Sequence, residues 1–198
     1  MRRIILATKN KGKIREVKAM LDDLNIEILS LNEYKNPPEV REDGKSFFEN
    51  AFKKAKIISE YTGEMVLSDD SGLEVDYLCG EPGIYSARYS GPDATDGGNI
   101  KKLLERLEGV PLEKRSASFR CVLVVYRPDG KYWEFEGRLH GIINDKPVGD
   151  GGFGYDPIFL LPELGLTVAQ LPPDEKNKIS HRARAVNKFK QALKRKVI

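Results

Sequence analysis

The residues best suited to chemistry in this sequence are four acids that lie within ten residues near the middle of the chain. In "LSDDSGLEVD" (67–76), Asp69 and Asp70 end a short apolar run, and two further acids follow the Ser-Gly pair. Like charges this close repel one another unless a cation or a base offsets them. Because carboxylates are the preferred ligands of Mg²⁺ and Mn²⁺, one hypothesis is a divalent cation bound here and by Glu42. The other hypothesis is a solvated Asp-Ser-Gly turn.

The two adjacent aspartates are not equivalent if the segment is a strand. "MVLSDD" (65–70) has the composition of a short strand, and we expect it to end in a turn at the Ser-Gly pair. Successive side chains of a strand face opposite sides of its sheet. Only one of Asp69 and Asp70 therefore leads into a site, unless the backbone turns there.

Two other segments have features of phosphate and base binding. "TKNKGK" (8–13) is a polar loop between a predicted strand and a predicted helix, so its backbone N–H groups and Lys13 suit a phosphate. The spacing of a Walker A loop is absent, and a plain surface loop fits equally well. "GGFGYDP" (151–157) places Phe153 and Tyr155 among glycines. A base stacked on such a ring gains ~1–3 kcal/mol, although a tight loop with a buried ring is the alternative.

The segment "EKNKISHRARA" (175–185) contains the strongest local indication of a site. Ser180 is a good helix N-cap, so His181 and Arg182 fall in the first turn of the last helix. Cations there are unfavourable by ~0.3–1 kcal/mol, because the helix dipole already places positive charge at this end. An acceptor or an anion is therefore expected to face them.

Composition limits the class of protein. The chain has 198 residues, of which 40% are apolar and 32% charged, and its two cysteines and two histidines are scattered. This pattern argues against a disulfide framework or a zinc site, and the apolar runs are too short to cross a membrane. The last 23 residues, from Lys176 on, contain nine lysines and arginines and no acid, which favours a polyanionic ligand or a solvated helix face. We expect a cytoplasmic protein with no membrane partner.

Periodicity predicts the elements that must position these residues. A strand at 2–7 precedes a helix with apolar residues at Ile14, Val17 and Leu21. A second helix is predicted to begin after Ser46 and to end at Gly63, and a third covers "NIKKLLERLEG" (99–109). "PDG" joins two strands as a hairpin. Since no flexible linker separates the halves, we expect one domain over residues 1–198.

Six motifs in order give the sequence a specific resemblance. They are "ATKNKGKIRE", "EDGKSFFENAFKKA", "LSDDSGLEVD", "GEPGIYSARYSG", "GFGYDPIF" and "DEKNKISHRA". With them the chain resembles the inosine triphosphate pyrophosphatase family over nearly its whole length. The resemblance implies an α/β fold with a long mixed sheet flanked by helices, in two lobes around a central cleft. It also implies a homodimer that uses Mg²⁺, with Mn²⁺ as the alternative. The implied reaction cleaves inosine and xanthosine triphosphates and their deoxy forms to the monophosphate and pyrophosphate.

The resemblance implies a role for each residue that matches a family motif. Asp70 is the implied proton acceptor, and Glu42 and Asp70 are the implied metal ligands. The residues implied to contact the triphosphate are Thr8, Asn10, Gly12, Lys13, Lys54 and Ser71. The residues implied to contact the base are Phe153, Gly154, Tyr155, Asp156, Lys176, His181 and Arg182.

Two positions depart from the family pattern, and a separate argument about hydrogen-bond donors and acceptors predicts which bases are bound. Lys9 stands where the family often has glycine, and Phe48 where an acid is frequent. His181 and Arg182 are hydrogen-bond donors, so a 6-oxo purine offers them an acceptor, whereas adenine offers a competing amino donor. This argument does not separate inosine from guanosine.

Two alternatives remain open from the sequence. One is a phosphohydrolase acting on other modified or pyrimidine nucleotides; the product orthophosphate would distinguish a phosphatase of this kind. The other is a nucleic-acid-binding module, which the basic C-terminal helix favours. Because the basic residues cluster on one predicted helix and no recognised nucleic-acid motif accompanies them, we expect no stable nucleic-acid partner.

Overall fold

The structure is a computed structural model that describes residues 2–198. Within this range the helices are α1 (Lys11–Leu21), α2 (Phe47–Thr62), α3 (Asp96–Arg106), α4 (Pro173–Ile179) and α5 (His181–Lys194). The strands are β1 (Arg2–Leu6), β2 (Ile26–Ser30), β3 (Met65–Val75), β4 (Ser116–Tyr126), β5 (Tyr132–Ile143), β6 (Phe159–Leu161) and β7 (Leu166–Thr167).

The described strands form one mixed sheet. Their order is β2-β1-β3-β4-β5-β6-β7. Strand β1 pairs in parallel with β2 and β3, whereas β6 pairs antiparallel with β5 and β7. Parallel and antiparallel pairs in one sheet with helices confirm the predicted α/β fold. None of the helices within residues 2–198 combines the length and the apolar composition that a bilayer crossing needs.

The chain divides into two compact units, each with its own core. The first unit contains the chain up to Asp70 together with Cys121–Gly137 and His181–Ile198, and the second contains Ser71–Arg120 and Arg138–Ser180. Ile4, Leu67 and Phe189 are among the core residues of the first unit. Leu73, Phe119 and Phe159 are among those of the second. Strands β3, β4 and β5 each contribute residues to both units.

Local signals set the ends of several elements as predicted. The hydroxyl of Ser46 accepts the N–H of Glu49 at 3.1 Å, which caps α2. The helix ends at Gly63, whose φ of 68° is readily adopted only by glycine. Helix α5 begins at His181, directly after Ser180. The hairpin around "PDG" is also confirmed, with Gly130 at a φ of 84°.

The expected turn after Asp70 is wrong. Strand β3 continues through Ser71 to Val75 as one element, so the two aspartates lie in mid-strand. The reason is pairing with β4, which lies beside β3 in the sheet, whereas β1 pairs only with Met65–Leu67. Sheet hydrogen bonds therefore override the turn preference of Asp and Ser. Helix α4 was not predicted; it is seven residues long and begins with a proline, which is tolerated in a first helical turn.

Candidate active site

Asp69 and Asp70 serve different neighbours in the first unit. The carboxylate of Asp69 lies 2.9 Å from the ammonium of Lys13 in α1 and 3.2 Å from the guanidinium of Arg182 in α5. The carboxylate of Asp70 instead accepts a hydrogen bond from the side-chain amide of Asn50 in α2, at 3.0 Å. This separation is what alternation along a strand requires.

Asp69 belongs to a buried network of ion pairs. Arg182 is 1% exposed, and its guanidinium contacts Asp69 and, at 2.5 Å, the carboxylate of Glu16. Burial alone would raise the pKa of Asp69, but the charges of Lys13 and Arg182 outweigh it and hold the pKa well below its usual range. Burial alone would lower the pKa of Arg182, but the charges of Asp69 and Glu16 outweigh burial and raise this pKa. Both members of the pair are therefore charged.

Asp70 and Glu42 form a second cluster with Lys54. The ammonium of Lys54 donates to the carboxylate of Glu42 and, at 2.9 Å, to the backbone carbonyl of Asp69. Burial raises the pKa of Asp70, and the charge of Glu42 adds to this while Lys54 and Lys13 oppose it. Burial lowers the pKa of Lys54, but the charges of Glu42 and Asp70 raise it overall. The lysine thus neutralises part of a carboxylate pair.

The donor set of this cluster fits a hard divalent cation. Glu42 and Asp70 are close enough for the charge of one to shift the pKa of the other. Among the described residues no group of three or more His, Cys, Asp or Glu is arranged to hold a metal. Mg²⁺ commonly binds through one or two carboxylates and completes its coordination with water and substrate phosphates. A pair of carboxylates therefore suits Mg²⁺ bound with a nucleotide.

A cavity of about 240 Å³ opens beside this cluster in the first unit. Its polar wall includes Thr8, Glu42 and Lys54. Thr8 begins the loop that leads into α1, where Asn10 caps the helix by accepting the N–H of Lys13 at 3.1 Å. The structure thus brings one end of the predicted phosphate loop to the same cavity as a predicted metal ligand. The apolar wall is formed by Ala7, Leu31, Pro38, Val40 and Ile58.

The predicted base loop lies in the second unit and makes several contacts there. The ammonium of Lys176 lies 2.5 Å from the carboxylate of Asp156 and 4.5 Å from the centre of the Phe153 ring. Tyr155 is buried, and its hydroxyl donates to the carbonyl of Ser86 at 2.9 Å. The Tyr155 ring belongs to the core, which leaves the half-buried Phe153 as the ring suited to stacking.

The other predicted site residues have simple positions. Gly12 lies in the first turn of α1, and Ser71 follows Asp70 in β3 and is half-buried. His181 is buried at the start of α5. Glu16 and Asn50 were missed by the sequence reasoning. Glu16 lies three residues after Lys13, a spacing that brings side chains together on a helix, but a buried acid cannot be told from a solvated one by spacing.

The chain is similar to known proteins over nearly its whole length. The chain matches the Ham1 family over residues 4–192. It is 53% identical to a dITP/XTP pyrophosphatase of Geobacter sulfurreducens, over 98% of this chain and 97% of the relative. It is 50% identical to a dITP/XTP pyrophosphatase of Bacillus licheniformis, over 98% of each chain.

Two solved structures share the fold. A Ham1 protein from Coxiella burnetii has a TM-score of 0.90 and 40% identity, covering 98% of this chain and 100% of that one. The Staphylococcus aureus Ham1 protein has a TM-score of 0.88 and 40% identity with the same coverage. These matches confirm the resemblance predicted from the six motifs. The chain belongs to the Ham1 family.

Proposed function

We propose that this chain is a hydrolase that cleaves inosine and xanthosine triphosphates and their deoxy forms to the monophosphate and pyrophosphate. Family membership and relatives at 53% and 50% identity, each named dITP/XTP pyrophosphatase, support this reaction. The observation that carries it is the cavity at which Thr8, Lys54 and Glu42 meet. Hydroxyl, ammonium and carboxylate groups together suit a triphosphate bound with a divalent cation.

The cation of the proposal is Mg²⁺, with Mn²⁺ as the alternative, and Glu42 and Asp70 would hold it. When bound, such an ion neutralises phosphate charge and lowers the pKa of a coordinated water. The chain supports this set of ligands by burying Asp70 next to Asn50, which donates to it at 3.0 Å. This hydrogen bond helps to orient the Asp70 carboxylate.

Lysines and Asp70 are the proposed agents of the reaction. Lys13 and Lys54 bind the triphosphate. The other residues proposed to contact it are Thr8, Asn10, Gly12 and Ser71. The charges of the two lysines stabilise the negative charge that builds up on phosphate oxygens during in-line attack by water. Asp70 positions that water and accepts its proton, for which a pKa raised by burial makes it a better base.

The base is proposed to contact the segment Phe153–Asp156, Lys176, His181 and Arg182. Phe153 offers a half-buried ring on which a base can stack, and the ammonium of Lys176 lies 4.5 Å from the centre of that ring. His181 and Arg182 donate to a 6-oxo group in this proposal. Arg182 already contacts Glu16 and Asp69, so reading the base would add to its role in the buried network.

The organisation of the protein is proposed from the same resemblance. Residues 1–198 act as one catalytic domain, and two copies form a homodimer, which size-exclusion chromatography with light scattering measures. The proposed compartment is the cytoplasm, because the substrates belong to the nucleotide pool. No membrane or stable nucleic-acid partner is part of the proposal.

A nucleotide panel tests the proposed function. Inosine, deoxyinosine and xanthosine triphosphates are compared with adenosine, guanosine and cytidine triphosphates, with Mg²⁺ and with a chelator. We expect a higher kcat/KM for the first group and no turnover with the chelator. Equal hydrolysis of all six nucleotides would contradict the proposal, and preference for a pyrimidine would favour the alternative phosphohydrolase.

A further inference from the structure

The first turn of α3 makes a contact that its own capping does not require. The hydroxyl of Thr95 accepts the N–H of Gly98 at 3.1 Å and so caps the helix. Asp96 follows as the first helical residue, with its side chain exposed. An acid in this place is favourable because of the helix dipole, whatever it contacts. Here, however, the Asp96 carboxylate also accepts the backbone N–H of Gly154 at 2.7 Å.

Gly154 is the residue of the segment 153–156 whose backbone has the greatest conformational freedom. Its φ of 63° is left-handed, a conformation that glycine adopts without strain. A Cβ at this position would meet no atom within 4 Å, so there is room for a side chain. The backbone conformation is therefore the reason that glycine fits here. Ordering a glycine backbone costs more conformational entropy than ordering other residues, so a contact from another element helps to fix Gly154 and supplements the contact of Lys176 with the Phe153 ring. The bond from Asp96 supplies such a contact, and bonds to carboxylates are among the stronger ones.

The rest of the segment is anchored by buried and partly buried hydrogen bonds. The N–H of Phe153 donates to the carboxylate of Asp156 at 2.9 Å. The hydroxyl of Tyr155 donates to the carbonyl of Ser86 at 2.9 Å. Asp96, 58 positions away in sequence, differs from these anchors because it is exposed. It can therefore be changed without opening the core.

Helix α3 also supports the partner of Tyr155. The side-chain oxygen of Asn99, one turn after Asp96, accepts the N–H of Ser90 at 2.8 Å. Its amide donates to the carbonyl of Ala87 at 3.3 Å. The segment that contains Ser86 is thus tied to the same helix that contacts Gly154. Because α3 contacts both ends of this arrangement, it acts as the scaffold of the segment 153–156.

We propose that Asp96 is a positioning residue for the purine base, which it orients by holding Gly154 and with it the Phe153 ring. The inference rests on the proposed function, in which Phe153 stacks on the base. Without the bond, binding must also order the loop, so KM rises while the chemical step is unchanged. We expect Asp96→Ala to raise KM for inosine triphosphate about five- to tenfold, with kcat within about twofold.

Three variants separate positioning from a general structural role. Asp96→Asn keeps an acceptor oxygen and should restore a KM near the wild-type value. Asp93→Ala removes another exposed acid, in the turn that precedes α3, and its KM should equal that of the wild type. For each protein KM, kcat and the inhibition constant of inorganic pyrophosphate are measured. Pyrophosphate carries no base, so its inhibition constant should be unchanged in Asp96→Ala.

Hydrogen exchange provides a readout that needs no activity. The amide of Gly154 should exchange faster in Asp96→Ala than in Asp96→Asn or the wild type, as measured on a peptide covering 152–156. Unchanged KM and unchanged exchange in Asp96→Ala would overturn the inference. So would an equal rise of KM and of the pyrophosphate inhibition constant. A wild-type protein that does not hydrolyse inosine triphosphate would instead overturn the proposed function.

Discussion

Replacing Arg182 by methionine should destabilise the protein strongly. Methionine fills a similar volume but has no charge, so the buried carboxylates of Asp69 and Glu16 lose their shared partner. The side chain of Asp69 is fully buried, whereas that of Glu16 is 11% exposed. Water therefore cannot replace the guanidinium at Asp69.

The expected loss in the free energy of unfolding depends on which partner of Asp69 remains in the variant. Removing one partner of a buried ion pair typically costs ~3–5 kcal/mol. Lys13 still lies 2.9 Å from Asp69, so we expect the lower end, about 3 kcal/mol. For a chain of this length each kcal/mol shifts the melting temperature by ~2–4 °C, which gives a fall of about 6–12 °C.

The assay is urea unfolding followed by circular dichroism, with a matched control. Arg184→Met changes an exposed arginine two residues later in the same helix and should cost less than about 0.5 kcal/mol. The double variant Asp69→Asn/Arg182→Met should lose less than the sum of the single variants by ~1–3 kcal/mol, since the two groups interact directly. A loss below about 1 kcal/mol in Arg182→Met, or full additivity, would refute the reasoning.

The same residue tests the prediction on selectivity. If Arg182 reads the 6-oxo group, Arg182→Ala lowers kcat/KM for inosine triphosphate more than for adenosine triphosphate. The measured quantity is the ratio of the two specificity constants in the wild type and the variant. An unchanged ratio would assign Arg182 to the buried network alone.

Three other results are expected. Lys54→Met should tighten Mg²⁺ binding in the absence of nucleotide about three- to fivefold, as measured by calorimetry, because the ammonium of Lys54 no longer competes for Glu42. The control Lys53→Met, which removes the partner of the exposed Asp43, should leave Mg²⁺ binding unchanged. Asp70→Asn should lose at least about a hundredfold in kcat. With a chelator present, Asp70→Asn should melt no lower than the wild type at pH 7. The reason is that burial raises the pKa of Asp70, so the ionised carboxylate costs the folded protein stability. Any gain in melting temperature should vanish below pH 3.8, the ordinary pKa, where Asp70 is protonated in both the folded and the unfolded state. Iodoacetamide should label the exposed Cys79 and not Cys121, because burial raises the pKa of Cys121 to about 12; labelling of both by mass spectrometry would contradict the described burial.

The features that sequence could predict are those encoded by near neighbours. The cap of α2 depends on Ser46 and Glu49, three residues apart, and its end depends on Gly63 alone. The hairpin depends on a five-residue turn between two segments with the composition of strands. In each case the interacting groups lie within one turn of chain, so propensity and position carry the information.

The features that sequence could not predict depend on distant residues. Arg182 and Glu16 are 166 positions apart, and Arg182 and Asp69 are 113 positions apart. The position of Arg182 in a first helical turn does indicate that an acceptor or an anion faces it, but no local pattern identifies Asp69 and Glu16 as its partners. The continuation of β3 past Asp70 also depends on neighbouring strands, which the segment itself does not specify. The base loop was located from its glycines, but its contact with Asp96 required the fold.

The products formed from inosine triphosphate test the central claim most directly. The purified protein is incubated with Mg²⁺ and this nucleotide, and both products are quantified by ion-exchange chromatography before the substrate is exhausted. The proposed reaction predicts inosine monophosphate and pyrophosphate in equal amounts from the first time point. Inosine diphosphate with orthophosphate would contradict it, because the bond cleaved would then lie between the β and γ phosphates.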